Sequence, residues 1–268
     1  MNLSDWTGIR RPVPRWLALL LGAVPVAGLF LLWAALTHGA AEERVISPVI
    51  LPSPFEVIGS FKSLWFESGL IWAIMASTGR VVGGFAIGLA FAFPLGLLMG
   101  AFSRVGALFA PVALFGGYLP IPALVPLTMS LFGIGEMQKV MFLALAFFVY
   151  LLPLFVKAVH EVDNVYLQTA YTLGASKVQV LRHVLLGVSF PRLFHAMRLG
   201  FGIGWSYIIL AEMVAADRGL GSIIIVAQRR GPREHIYLVL VTIVLIAWAT
   251  DKLWRALGAW LFPHQEAK

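Results

Sequence analysis

Charge is scarce in this chain. Of its 268 residues only 12% are Asp, Glu, Lys or Arg, and 60% are hydrophobic. Ordinary globular chains carry about 25% charged and roughly 45–50% apolar residues. A mean hydropathy of +0.87 lies far beyond what one buried core could hide. Cysteine is absent, which excludes disulfides, thiolate metal sites and cysteine nucleophiles. No Gly-Lys pair occurs either, so the chain lacks the phosphate-cradling loop that ends in Gly-Lys-Ser or Gly-Lys-Thr. The histidines His38, His160, His183, His195, His235 and His264 never pair with another ligand-type residue at a convincing metal-binding spacing, and no metal site is expected. A cleavable signal peptide is not expected: the first apolar run is too long for an h-region and lacks a small-residue cleavage site.

What the chain has is uncharged length. Trp16–Ala41, Val81–Ser103, Val105–Gly135 and Val140–Val156 contain no Asp, Glu, Lys or Arg, and about 20 apolar residues cross the hydrocarbon layer as a helix. The composition predicts an all-α polytopic membrane protein with six spans: Trp16–Thr37, Ala76–Phe102, Val105–Leu131, Lys139–Lys157, Met197–Ala216 and His235–Trp254. The formal charge of +7 is then read as loops facing lipid headgroups, not as a nucleic-acid surface.

Basic residues orient the spans. With the N-terminus inside, Arg10, Arg11, Arg15, Arg104, Lys157, Lys177, Arg182, Arg192, Lys252, Arg255 and Lys268 face the cytoplasm. Arg44, Lys62, Lys139, Arg218, Arg229, Arg230 and Arg233 face outward, and Arg80 and Arg198 stay unassigned near helix ends. The bias predicts both termini in the cytoplasm. The outward cluster Arg218–Arg233 runs against it. It reads either as a solvated loop or as a surface for an anionic solute or an acidic partner.

Small residues and prolines punctuate the spans. Ser53 before Pro54 and Glu56 forms a capping-box pattern, and Val57, Phe61 and Leu64 continue at helical spacing, predicting a short interfacial helix. Gly84 and Gly88, and again Gly96 and Gly100, sit four apart, the spacing that lets membrane helices approach closely. Pro120, Pro122 and Pro126 fall within the third span, where they read either as a static kink or as the wall of a pathway.

The segment Asp163–Pro191 is too polar to span. Leu167, Ala170, Tyr171, Gly174, Val178, Leu181 and Leu185 recur at steps of three or four, opposite Gln168, Thr172, Lys177, Gln179 and Arg182. Gly174 near its middle predicts a turn between two short helices or the close approach of another backbone. Such a stripe docks a partner or rests on its own bundle.

The run Gln168-Thr169-Ala170-Tyr171-Thr172-Leu173-Gly174-Ala175-Ser176 resembles the EAA loop of binding-protein-dependent ABC transporter permeases. Ala170 and Gly174 match, as do Val184 and Leu186 in the later apolar pair. Gln168 replaces the family's Glu, Thr169 an Ala, and Gly187 the usual proline. Further resemblance, to the branch importing nitrate, sulfonates, taurine and bicarbonate, lies in Leu51-Pro52-Ser53-Pro54, Pro120 to Pro126, Phe132-Gly133-Ile134-Gly135-Glu136 with Lys139, Ala211-Glu212-Met213 and Gly219-Leu220-Gly221.

The resemblance implies a five-helix permease core, spans two to six, with one added N-terminal helix. Residues 1–50 would form the tail, first helix and external loop, and 51–268 the core with its coupling loop at about 163–191. It implies a homodimer in the bacterial inner membrane, with two cytoplasmic ATP-binding cassette subunits and a periplasmic or lipid-anchored solute-binding protein. This chain would hold no cofactor, and ATP and Mg would sit on the ATPase. Gln168, Thr169, Ala170, Gly174, Ala175, Ser176 and Arg182 would couple to that ATPase. Pro120, Pro122, Pro126, Trp205, Glu212 and Met213 would form gate and pathway. The solute would be small and anionic, or another small organic molecule.

Glu212 is the only carboxylate of its span, and a carboxylate at membrane depth faces a cavity or a partner. Arg218 is the cation expected to pair with it; the plainer alternative is an acid at a helix end reaching the headgroups. Two other classes have less support. An intramembrane serine protease would need Ser206 and His235 hydrogen-bonded beside an oxyanion hole. A secondary transporter would show inverted halves or midplane charges.

Overall fold

A computed structural model describes residues 13–214 and 217–263. Arg10, Arg11, His264, Lys268 and Ala216, all invoked above, lie outside the described residues. Two compact units are present, Met1–Lys62 and Ser63–Lys268, and among the described residues every regular element is helical.

In the first unit, α1 (Arg15–Leu36) is long and apolar enough to cross a membrane. The chain after it is tied back by Trp33, whose Nε1–H donates to the Pro52 carbonyl at 2.9 Å. The capping box forms as the pattern predicts and starts α2 (Pro54–Gly59). Ser53 Oγ accepts from the Glu56 amide at 3.2 Å, and Glu56 Oε2 accepts from the Ser53 amide at 2.7 Å. Arg44 grips the same carboxylate through both terminal nitrogens, at 3.0 and 2.8 Å. These donors, Arg44 foremost, hold the Glu56 carboxyl down at about 2. A short helix α3 (Phe61–Phe66) straddles the boundary to the second unit.

The second unit is built on α4 (Leu70–Ala101) packed along α7 (Glu136–His160). The two glycine pairs explain how closely they approach. A Cβ on Gly84 would stand 2.6 Å from the Leu143 Cβ, and one on Gly88 2.8 Å from the Ala144 carbonyl. Gly96 and Gly100 meet Phe155 and Val159 equally tightly, at 2.6 Å each. Four absent side chains thus let two backbones touch where lipid offers no hydrophobic drive for helix pairing.

Between them the expected third span is broken. Helix α5 (Ser103–Tyr118) and the segment Ile121–Phe132, which holds a 3₁₀ turn and α6 (Leu124–Phe132), meet at 91°. The three prolines do not interrupt a helix midway. Pro120 precedes the 3₁₀ turn, Pro122 lies in its first positions and Pro126 falls in the first turn of α6. A proline there loses no hydrogen bond, because the first turn's amides have no partner in any case.

Beyond α7 come α8 (Asn164–Thr172) and then α9, a continuous helix over Lys177–Glu212. The sequence reading started a span near Met197, after a separate amphipathic piece. Instead the helix runs through Pro191, with a π-helical stretch at Val180–Leu185 upstream of it. Helices α10 (Leu220–Arg230) and α11 (Glu234–Leu261) complete the unit.

Two measurements check this account. Gly88→Leu should lower the thermal midpoint of the detergent-purified chain by several degrees, since overpacking costs about 1–3 kcal/mol. Gly202→Ala, where a Cβ meets nothing within 4 Å, should leave it unchanged or raise it; equal losses would refute the close-approach reading. The Glu56 carboxyl should titrate near pH 2 and not near 4.5. Its contribution to folding is therefore complete above the unfolded value and is lost only as pH falls towards 2; an ordinary midpoint by NMR would refute it.

Candidate functional site

The most highly connected polar group of the second unit is one that the sequence reading left unassigned, Arg80. It lies inside α4, 5% exposed, in a segment with no other charge. Its Nη1 donates to Glu212 Oε1 at 2.6 Å and to the Arg218 carbonyl at 2.7 Å. Its Nε and Nη2 donate to the two oxygens of Glu136, each at 2.6 Å. One guanidinium therefore joins α4, the start of α7, the end of α9 and the loop before α10. The planar fork of arginine suits this, because its five donors diverge in fixed directions.

The carboxylates are completed by neighbours. Ser77 Oγ donates to Glu212 Oε1 at 2.7 Å and accepts the Leu220 amide at 2.9 Å. The Gly221 amide donates to Glu212 Oε2 at 2.8 Å. Lys139, itself buried, donates to Glu136 at 3.1 Å. Two buried cations thus face Glu212, which is fully buried, and Glu136, whose side chain is 64% exposed; the buried carboxylate has donors on both oxygens, the condition under which buried charge is tolerated. Gly219, at φ 141°, could bear no side chain: a Cβ would stand 2.6 Å from Arg80 Nη1. At Gly221 it would stand 2.7 Å from the Glu212 Cβ. The two glycines let the Gly221 amide reach the carboxylate and the Leu220 amide reach Ser77. The expected pairing of Glu212 with Arg218 is corrected accordingly: Arg80 takes the carboxylate, and Arg218 contributes only a main-chain carbonyl.

Two cavities take in residues predicted for gate and pathway, one beside the knot and one further along α7 and α9. Glu212 and Met213 line one of about 560 Å³ with Asp217, Arg229 and His235. Pro120 and Pro122 line another of about 560 Å³ with Tyr150, Pro153, Ser206 and Tyr207, between the α5–α6 corner, α7 and α9. Pro126 is outside that wall, and Trp205 is turned into the interior at 2% exposure, its Nε1 without an acceptor. His235 is held by Ser63 at 2.8 Å, in a different cavity wall from Ser206, so the protease pairing does not form.

At the opposite end of α7 the chain makes the turn predicted from Gly174. The Ala175 amide donates to the Ala170 carbonyl at 3.0 Å, and the Gly174 amide to Tyr171 at 2.9 Å, with Gly174 at φ 81°. This is a Schellman ending. Ser176 then caps the next helix in a second capping box with Gln179. A locally rigid corner results, yet α8 has no buried residue, and Tyr166, Tyr171, Leu173 and Val178 stand 51–82% exposed. Gln168, Thr169 and Arg182 are exposed beside them, Ala170 and Ala175 partly covered.

A family model described as binding-protein-dependent transport system inner membrane component matches residues 92–265. The chain belongs to that family. A protein named probable ABC transporter permease from Brucella abortus (strain 2308) is 32% identical over 250 residues, 93% of this chain and 96% of that one. The taurine transport system permease protein TauC of Escherichia coli (strain K12) is 31% identical over 267 residues, covering 97% and 94%. Among solved structures, the inward-facing MetNI methionine ABC transporter aligns with a TM-score of 0.63 at 19% identity, over 74% of this chain and 98% of that one. That likeness establishes the permease fold.

The knot makes an asymmetric prediction. Arg80→Gln leaves Glu212 buried and unpaired and should cost about 3–5 kcal/mol, read as loss of folded yield or a large fall in thermal midpoint. Glu212→Gln should be milder, because Arg80 keeps Glu136 and the amide oxygen still accepts from Gly221. The reverse order would contradict the geometry.

Proposed function

We propose that this permease is the membrane subunit of an ATP-driven importer, acting as a pair of copies in the bacterial inner membrane with both termini cytoplasmic. Two ATPase subunits dock on the α8–α9 corner. A solute-binding protein delivers a small anionic solute of the sulfonate kind at the opposite face. The observation that carries this reading is the corner itself: fixed by two hydrogen-bonded caps, and left apolar and uncovered. A surface that is rigid and apolar yet unburied suits a partner's groove, and a capped helix end passes on displacement better than a loose loop would. The chain has no Gly-Lys-Ser/Thr loop, so the nucleotide and its Mg belong to the partner.

The Pro120–Tyr207 cavity supplies a passage wall whose polar tips are hydroxyls. Such a wall lets a solute slip past, and recognition is left to the binding protein. The anionic solute is supported by the name of the TauC relative and by the outward basic residues Arg218, Arg229, Arg230 and Arg233. Ion-gradient drive has less to recommend it, since the buried charges are locked to one another in the knot.

Leu173→Asp, at a position 82% exposed, should leave membrane insertion and thermal midpoint unchanged. Co-purification of the ATPase and solute uptake into cells should both drop at least tenfold. Retained ATPase binding with normal uptake would overturn the docking assignment.

A further inference from the structure

A second charged concavity lies at the α8 end of the bundle, on the other side of α7 from α4, and transport does not account for it. It has a volume of about 550 Å³ between α7, α9 and α11. Lys157, Arg192, Arg198 and Arg255 line it, with His195 as a further donor. Among the described residues, Glu161 in the wall and Asp251, paired with two of the arginines, oppose them. Asp251 clamps two guanidiniums side by side: Arg198 through Nε at 2.6 Å and Arg255 through Nη2 at 2.9 Å. Arg192 Nη1 donates to the Glu161 carbonyl at 2.8 Å. Among the described residues, four cations against two carboxylates leave a surplus of two positive charges, and Arg255 pairs through Nη2 alone.

The floor is aromatic. The Phe194 ring meets Trp254 in a tilted contact at 5.0 Å and Phe262 edge-on at 5.6 Å. Gly258 makes room for it, because a Cβ there would stand 3.2 Å from the Phe194 ring. The outer face of α11 at the same level is apolar, with Leu253, Leu257 and Leu261 41–60% exposed and Trp260 78% exposed. A tryptophan so placed marks the interface between hydrocarbon and headgroups. Arg255 lies five residues deeper, roughly 7–8 Å along the helix.

We infer that this pocket binds an anionic phospholipid of the adjoining leaflet, its phosphate on Arg192 and Arg255 and its glycerol and upper acyl carbons against Phe194 and Trp254. A free oxyanion would use the same guanidiniums but would have no use for an aromatic floor lying on the hydrocarbon side of Trp260. Basic pockets between membrane helices take anionic headgroups by this chemistry, each cation near the surface contributing about 1 kcal/mol. The inference concerns only this chain's own surface and stands whether or not the transport reading does.

Native mass spectrometry of the full-length chain in mild detergent, titrated with phosphatidylglycerol or phosphatidylcholine, tests it. The double variant Arg192→Gln/Arg255→Gln should weaken phosphatidylglycerol binding roughly fivefold per removed charge and leave phosphatidylcholine binding unchanged. Lys252→Gln, whose ammonium lies over the Trp248 ring at 4.0 Å outside the pocket, should have no effect. Gly258→Leu fills the pocket without changing charge. It should lower phosphatidylglycerol binding as well, which keeps the test decisive if the double variant misfolds. No preference for phosphatidylglycerol, an equal loss in Lys252→Gln, or full displacement of the lipid by millimolar inorganic phosphate or ethanesulfonate would each overturn the assignment.

Discussion

A guanidinium buried in an apolar helix has to be neutralised, and in this protein that requirement organises one whole end of the second unit. Arg80 cannot reach water, so it draws in a carboxylate from the start of α7 and another from the end of α9. The backbone that must pack around them is drawn in with it. Removing Arg80 would strand the buried Glu212 carboxylate, whereas Arg80 deprived of Glu212 still keeps Glu136. Gly219 and Gly221 follow from the same constraint: their missing side chains allow two amides to approach the cluster. The short motif beginning at Phe132 and those beginning at Ala211 and Gly219, far from it in the chain, are parts of one interaction.

The two ends of the bundle differ accordingly. At one, charge pairs and close backbone approach fix α4, α7, α9 and α10 together. At the other, α7 hands over to α8 through a corner that is rigid within itself but packed on little. The glycine-lined seam between α4 and α7 joins the two, since helices whose backbones touch move as one body. In the importer reading, the uncovered corner receives the push of an ATPase and the seam carries it towards the cavity walls at Pro120 and Tyr207. The knot then serves as the fixed end against which that displacement works.

How much of this was visible in the residues depends on the range of the interactions. The capping boxes at Ser53 and Ser176, the turn at Gly174 and the glycine pairs of α4 were all readable, because each is decided within a turn or two of helix. The prolines of the third span were readable as a disturbance but not as a 91° corner; their places at the starts of short helices show only when the boundaries are known. The polarity of Asp163–Pro191 misled in the opposite sense, since its second half is the first part of the long helix that continues to Glu212. Arg80 was missed as a centre, and Glu212 was given a neighbour six residues away. The true partners are 56 and 132 residues apart, and no periodicity encodes that. The available signal was a lone charge within an apolar run, which in a membrane always demands a partner.

Amide hydrogen exchange on the full-length chain in lipid nanodiscs tests the central claim most directly. If the buried cluster fixes that end of the bundle, the amides of Leu220 and Gly221, which donate into it, should exchange as slowly as those of the α4–α7 seam. The exposed corner at Leu173–Ser176 should exchange orders of magnitude faster. Exchange at Leu220 and Gly221 as fast as at the corner would mean that the cluster does not hold the fold together, and the account would fail.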